Sequence, residues 1–177
     1  YILLNFDHSQ KENMTILVKN KHTLQIDEFK FECCIGKNGS TSSKKEGDYK
    51  TPKGKFEIEN LYFRKDRLEK PFTLLKCIEI KKSMGWCNDI RFPKKYNKLF
   101  KIEKKFKHEK LKRKDYKYDL LIPIKYNFKK PILGLGSCIF IHLTKNYKPT
   151  AGCIGLKKKD FLIMLKLIKK NSKIRIS

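Results

Sequence analysis

Apolar and polar residues alternate over the first third of the chain with the period of two that a half-buried strand requires. Thr15-Ile16-Leu17-Val18 and Thr23-Leu24-Gln25-Ile26 predict two strands around a Lys19-Asn20-Lys21-His22 turn. Phe29-Lys30-Phe31-Glu32-Cys33 predicts a third strand with one wet face, and Gly36-Lys37-Asn38-Gly39 a turn with two positions suited to positive φ. Lys55-Phe56-Glu57-Ile58 continues the pattern, and Tyr62–Arg67 and Leu74–Ile80 add another strand or two. Between them, Ser40 to Gly54 is too rich in Gly, Pro and charge for an element and reads as a structured loop.

The second half changes character. Leu99, Ile102, Phe106 and Leu111 give imperfect helical spacing under a run of lysines, which predicts a solvated helix or long loop over Phe100–Lys117. Tyr118–Ile124 reads as a strand, Pro131–Gly134 as a turn, and Gly136-Ser137-Cys138-Ile139-Phe140-Ile141-His142 as a buried strand. After Leu156, Phe161, Met164, Leu165 and Ile168 share one face of a helix from Phe161 to Lys170, with Asp160 as its N-cap and lysines in its last turn. Ile174-Arg175-Ile176 predicts an edge strand. The expectation is a β-rich α+β domain over residues 14–177, with residues 1–13 as an N-terminal extension.

Composition narrows the picture. The 177 residues carry a formal charge of +25, yet 40% are apolar, so the chain is no disordered polycation. Nearly all the positive charge is lysine, spread from Lys11 to Lys173. The arginines Arg64, Arg67, Arg91, Arg113 and Arg175 form no cluster suited to phosphate or guanine forks. A solvated lysine surface is therefore favoured over a nucleic-acid groove, and no nucleic acid is expected as partner. Cys33, Cys34, Cys77, Cys87, Cys138 and Cys153 form no CxxC pair or disulfide framework, and one of Cys33 and Cys34 is expected to face the core. Tyr1–Phe6 is too short an apolar run for a signal peptide, and no run approaches the roughly 18 apolar residues of a membrane span.

The candidate chemistry lies at the end of the buried strand. His142 closes it, and Cys153 follows a short loop eleven positions on. A free thiol has a pKa of about 8.5 and is mostly protonated at neutral pH, so a nucleophilic cysteine needs a base beside it. His142 is the candidate base, and Gly152 gives backbone N–H groups room to approach a substrate oxygen. Cys153 as a small buried residue and His142 as a backbone-bonded strand-end histidine are the plain alternatives. Cys138, His142 and Cys153 are also acceptable zinc ligands, but no fourth stands at a standard spacing. A serine triad has no Gly-x-Ser-x-Gly turn to rest on. Trp86, the only tryptophan, is first a core anchor and second a pocket wall.

Gly136-Ser137-x-Ile139-Phe140-x-His142, then Pro149-Thr150-Ala151-Gly152-Cys153, resembles the L,D-transpeptidase catalytic domain, the YkuD or ErfK/YbiS family, in a compact branch. Glu46-Gly47-Asp48-x-x-Thr51-Pro52-x-Gly54, Gly85-Trp86-Cys87-Asn88-Asp89 with Tyr96-Asn97, and the pair His108-Glu109 are similar to segments of the same branch. The resemblance implies a YkuD-like mixed β-sandwich with a C-terminal helix after the cysteine loop. It implies that Cys153 is the nucleophile and His142 the general base, with the backbone at Gly152 and Cys153 holding the oxyanion. Thr150, Ser137, Glu46, Asp48 and Trp86 become candidates for the substrate cleft, Glu46 and Asp48 first as shapers of their loop.

The implied reaction is a two-step transfer on peptidoglycan stem peptides containing diaminopimelate. Cys153 forms a thioester, D-alanine leaves, and an amine of a second stem resolves the intermediate. No metal or organic cofactor is needed. The implied location is the periplasm or cell envelope, and a monomer is expected. Where the broader family has histidine before Gly-Cys, this chain has Ala151. Leu143 follows the histidine, and Gly155 stands where Arg or Asn is common. These departures leave water as an alternative acceptor, making a carboxypeptidase or amide hydrolase. A reading of another class, a non-catalytic basic domain that binds an anionic polymer, rests on the lysines alone.

Overall fold

The alternating segments near the N-terminus pair with each other and with the end of the chain. The computed structural model describes residues 15–177, so the expected N-terminal extension lies outside the described residues. Strands β1 (Thr15–Lys19), β2 (Thr23–Ile26) and β3 (Phe29–Glu32) form an antiparallel meander. Ile16, Val18, Leu24 and Ile26 turn inward from it and are at most 2% exposed. Next come the two-residue strands β4 (Ser40–Thr41) and β5 (Thr51–Pro52), which pair in parallel, then β6 (Gly54–Glu57). Strands β7 (Leu61–Phe63), β8 (Cys77–Glu79), β9 (Met84–Cys87), β10 (Leu99–Lys101), β11 (His108–Lys110) and β12 (Leu120–Pro123) follow. The chain ends with β13 (Phe140–Leu143), β14 (Ile154–Leu156), helix α1 (Lys158–Leu167) and β15 (Lys173–Ile176).

Two five-stranded sheets carry the domain, ordered β3-β2-β1-β15-β6 and β14-β13-β12-β7-β8. One apolar cluster joins the two sheets and α1, through residues such as Ile16, Ile26, Ile122, Ile141, Ile154, Phe161 and Met164. A second cluster lies on the other face of β12 and β13, where Leu121 and Phe140 meet Trp86, Leu111 and Tyr118. Strands β12 to β14 are thus buried on both faces, which is why they read as nearly continuous apolar runs. The smaller sheet β10-β9-β11 lies over this second face. The β-rich α+β class expected from sequence is what the chain adopts.

Several local expectations are corrected. Phe100–Lys117 forms no helix: its two short strands flank β9, with Leu99 opposite Trp86 and Glu109 opposite Trp86 on the other side. Its apolar residues serve an aromatic knot, Phe106 edge-on to Phe92 at 4.4 Å and to Phe100 at 5.6 Å, and this packing overrides the helical spacing. The C-terminal strand is no edge, since β15 lies between β1, its parallel partner, and β6. Lys157 is the N-cap of α1, and Asp160 falls in the first turn, where it complements the helix dipole instead of capping a backbone N–H. As expected, one of the adjacent cysteines, Cys33, joins the main apolar cluster, while Cys34 is buried against Gly155 and Thr144. The strand holding His142 begins only at Phe140, because Gly136 (φ +99°) and Cys138 (φ +55°) turn the backbone before it.

Candidate active site

Period-two alternation on β13 sends Ile141 and Leu143 into the main core and Phe140 and His142 to the opposite face. Strand β14 runs parallel beside it, Ile154 opposite Ile141 and Gly155 opposite His142. Cys153, immediately before β14, is thereby carried to the level of Phe140, whose N–H donates to Cys153 Sγ at 3.4 Å. The thiol in turn donates to the Cys138 carbonyl at 3.2 Å. His142 has Nδ1 2.9 Å from the Leu143 carbonyl. A carbonyl can only accept, so Nδ1 carries the proton and Nε2 keeps the lone pair. Both side chains line one cleft of about 630 Å³.

Burial governs the electrostatics of the pair. Desolvation pushes the Cys153 thiol up to about 12, against the pull of the Phe140 N–H; Glu109 adds to the rise and Lys44 opposes it. Desolvation brings the His142 imidazole down to about 4, the Leu143 carbonyl working against the shift and the cations Lys117 and Arg113 with it. At neutral pH both groups rest neutral, the thiol keeping its proton and the imidazole an open lone pair on Nε2.

The other sequence candidates separate into three groups. Glu46, Ser137 and Thr150 line the cleft with the pair. Glu46 Oε2 accepts from the Tyr96 hydroxyl at 2.6 Å and the Ser137 hydroxyl at 2.8 Å, which fixes the carboxylate on that wall. Thr150 shapes the cysteine loop, its hydroxyl donating to the Cys153 carbonyl at 2.6 Å and accepting from the Gly152 N–H at 3.1 Å. Asp48 is not a lining residue: it accepts from Lys44 Nζ at 2.6 Å and from the N–H groups of Lys45 and Lys50 at 2.8 and 2.9 Å. Partial burial opposes its charge, but these three donors outweigh it and hold the carboxyl below the usual range. Trp86 does not face the cleft either. It is 2% exposed, donates Nε1–H to Asn97 at 2.9 Å, and packs edge-on beneath Phe140 at 5.3 Å.

Gly152 also has a packing role. Its φ is +140°, and a Cβ would come within 2.9 Å of the Lys50 carbonyl oxygen. The glycine gives room to the loop of Lys50 and Thr51, whose Thr51 hydroxyl donates to the Gly152 carbonyl at 2.9 Å. Its N–H is already held by Thr150. The zinc alternative finds no support in the geometry. Among the described residues no three of His, Cys, Asp and Glu converge on a metal position, and Cys138 Sγ lies against the Trp86 carbonyl at 3.9 Å.

Sequence reasoning missed one whole wall. Glu109 and Arg113, from the segment read as a solvated lysine run, line the cleft together with Tyr118, the first residue of the strand expected after it. Arg113 forks onto Asp115 at 2.9 and 2.7 Å and reaches Glu109 at 2.8 Å, over the Tyr118 ring at 4.9 Å. Arg64 and Arg67 clamp this segment from outside, donating to the carbonyls of Arg113, Lys114 and Asp115 at 2.6 to 2.8 Å. The available signal was arginine itself. In a lysine chain, Arg64, Arg91 and Arg113 each have an aspartate two positions away, and each forms a bidentate fork with it.

Residues 4–176 match the family described as the L,D-transpeptidase catalytic domain, YkuD. The chain belongs to that family, whose members are L,D-transpeptidases acting in peptidoglycan. Among solved structures it is similar to Bd1075 of Bdellovibrio bacteriovorus, with 16% identity and a TM-score of 0.49, over 93% of this chain and 48% of that one. It is also similar to a point mutant of the helical cell shape determining protein Pgp2 of Campylobacter jejuni, with 16% identity and a TM-score of 0.48, over 94% and 48%. The chain spans about half the length of these proteins. No curated protein sequence matches it. Among the described residues no helix is long and apolar enough to cross a membrane.

Proposed function

We propose that the domain is a cysteine acyltransferase that cross-links or edits peptidoglycan stem peptides in the cell envelope, acting as a monomer. The observation that carries this reading is that the Cys153 thiol and a tautomer-fixed His142 line the same cleft. His142 Nε2 takes the thiol proton as sulfur attacks the diaminopimelate carbonyl next to a terminal D-alanine. The carbonyl π bond becomes an oxyanion, which backbone N–H groups near Gly152 and Cys153 hold; the Gly152 N–H must leave the Thr150 hydroxyl to take part. Collapse of the intermediate breaks the C–N bond, and the imidazolium returns its proton to the departing amine. An amine of a second stem then attacks the thioester and restores the thiol.

Incubation with a disaccharide-tetrapeptide tests the reading. The expected result is D-alanine release that Cys153→Ala reduces by at least about a thousandfold, with cross-linked dimer among the products. Shortened monomer as sole product assigns water as acceptor. Release that survives Cys153→Ala, or salt-sensitive polyanion binding with no release by folded protein, overturns it.

A further inference from the structure

Lys44 is the only buried lysine among the described residues, 5% exposed, and it lines the cleft. Its ammonium donates to Asp48 Oδ1 at 2.6 Å and to the Lys45 carbonyl at 2.7 Å, so two of its three N–H bonds are committed and the third has no partner among the described residues. The stem lies along Gly136, where an added Cβ would come within 3.0 Å of Lys44 Cγ and 3.4 Å of Nζ. Gly136 leads directly to Ser137 and Cys138, and the Cys138 carbonyl is the group that accepts the Cys153 S–H. Lys44 thus shares the cleft with the thiol and lies against the segment that leads to the carbonyl accepting the thiol's proton, beside a glycine that leaves it space.

Loop shape alone does not call for this cation. Asp48 already closes its turn through the N–H groups of Lys45 and Lys50. Taking an ammonium out of water is costly; Asp48 offsets that cost at rest, and a further negative charge nearby is favoured as well. Such a charge appears on sulfur once His142 has removed its proton. Of the charges acting on that thiol, Glu109 disfavours the thiolate and Lys44 favours it. Both line the same cleft.

We infer that Lys44 is a positioning residue for the nucleophile: held by Asp48 and laid along Gly136, its ammonium supplies the positive potential against which the Cys153 thiolate forms. In that step the S–H bond breaks, the proton passes to His142 Nε2, and the electron pair stays on sulfur. The inference rests on the nucleophilic Cys153 proposed above.

Iodoacetamide alkylation of Cys153 across pH 6 to about 10, read on its own peptide by mass, tests this without any peptidoglycan substrate. Lys44→Met is expected to slow labelling at pH 8 at least about fivefold and to move the rate profile to higher pH, while Lys44→Arg stays within about twofold of the parent. Lys129→Met removes the same charge from an exposed loop and is expected to leave the profile in place. Should Lys44→Met fail to fold, Lys44→Gln, which keeps a donor for Asp48, carries the same comparison. A folded neutral variant that labels at the parent rate, or equal slowing by Lys129→Met, overturns the role of Lys44. If the parent still releases D-alanine, that failure concerns Lys44 alone; a Cys153 unreactive in every variant, with no release, removes the nucleophile itself.

Discussion

His142 and Cys153 stand at the ends of strands buried on both faces, whereas Lys44, Glu46 and Asp48 stand on a loop between two two-residue strands. The first half of the cleft is held by apolar burial: Phe140, Ile141 and Ile154 are at most 1% exposed. The second half is held by directional polar bonds, three onto Asp48 and two onto Glu46. Thr51 stitches the halves together, fully buried, donating to the Gly152 carbonyl and accepting from the Gly36 N–H, both at 2.9 Å. Burial is non-directional and tolerates small changes of shape, while each bond in a polar scaffold leaves an unpaired partner when it is lost.

That contrast sets an order of effects on stability. Asp48→Ala strips the buried Lys44 of its counter-charge and is expected to cost about 3 kcal/mol in denaturant unfolding, as breaking a buried pair does. Thr51→Val leaves a buried carbonyl and a buried N–H unpaired and is expected to cost about 2 kcal/mol. Ile141→Val, on the apolar side, removes one methylene from a packed core and is expected to cost about 1 kcal/mol. An Ile141→Val penalty exceeding that of Asp48→Ala breaks the comparison. The smallest effect is expected from mild acid. His142 is active when neutral, and its folded pKa of about 4 lies below the ordinary imidazole value, so activity holds as pH falls to about 5 and drops only near 4. By the same sign, the unfolded chain takes up this proton first, so the histidine's contribution to stability is intact above about 6.5 and is lost as pH falls toward 4. An acid limb in kcat/KM centred near 6.5 contradicts a buried base.

The two halves also differed in how far the sequence revealed them. Strands β12 and β13 were readable because burial on both faces leaves continuous apolar runs, and the His142 to Cys153 stretch carried its family resemblance openly. The loop was readable as a loop, since Gly47, Pro52 and Gly54 announce it, but nothing local distinguishes Lys44 from its exposed neighbour Lys45. Three-residue strands such as β10 and β11 are too short to show a period, so the wall bearing Glu109 and Arg113 was hidden among lysines. The central place of β15 was equally invisible, because its parallel partner β1 lies at the other end of the chain.

Exposure of the folded protein to a carbapenem, followed by intact mass, tests the central proposal most directly. A reactive Cys153 opens the lactam ring and retains the whole molecule as a thioester, so the account predicts one stable adduct of the drug's full mass, absent in Cys153→Ala. Folded protein that gains no mass, or an adduct that persists in Cys153→Ala, contradicts it.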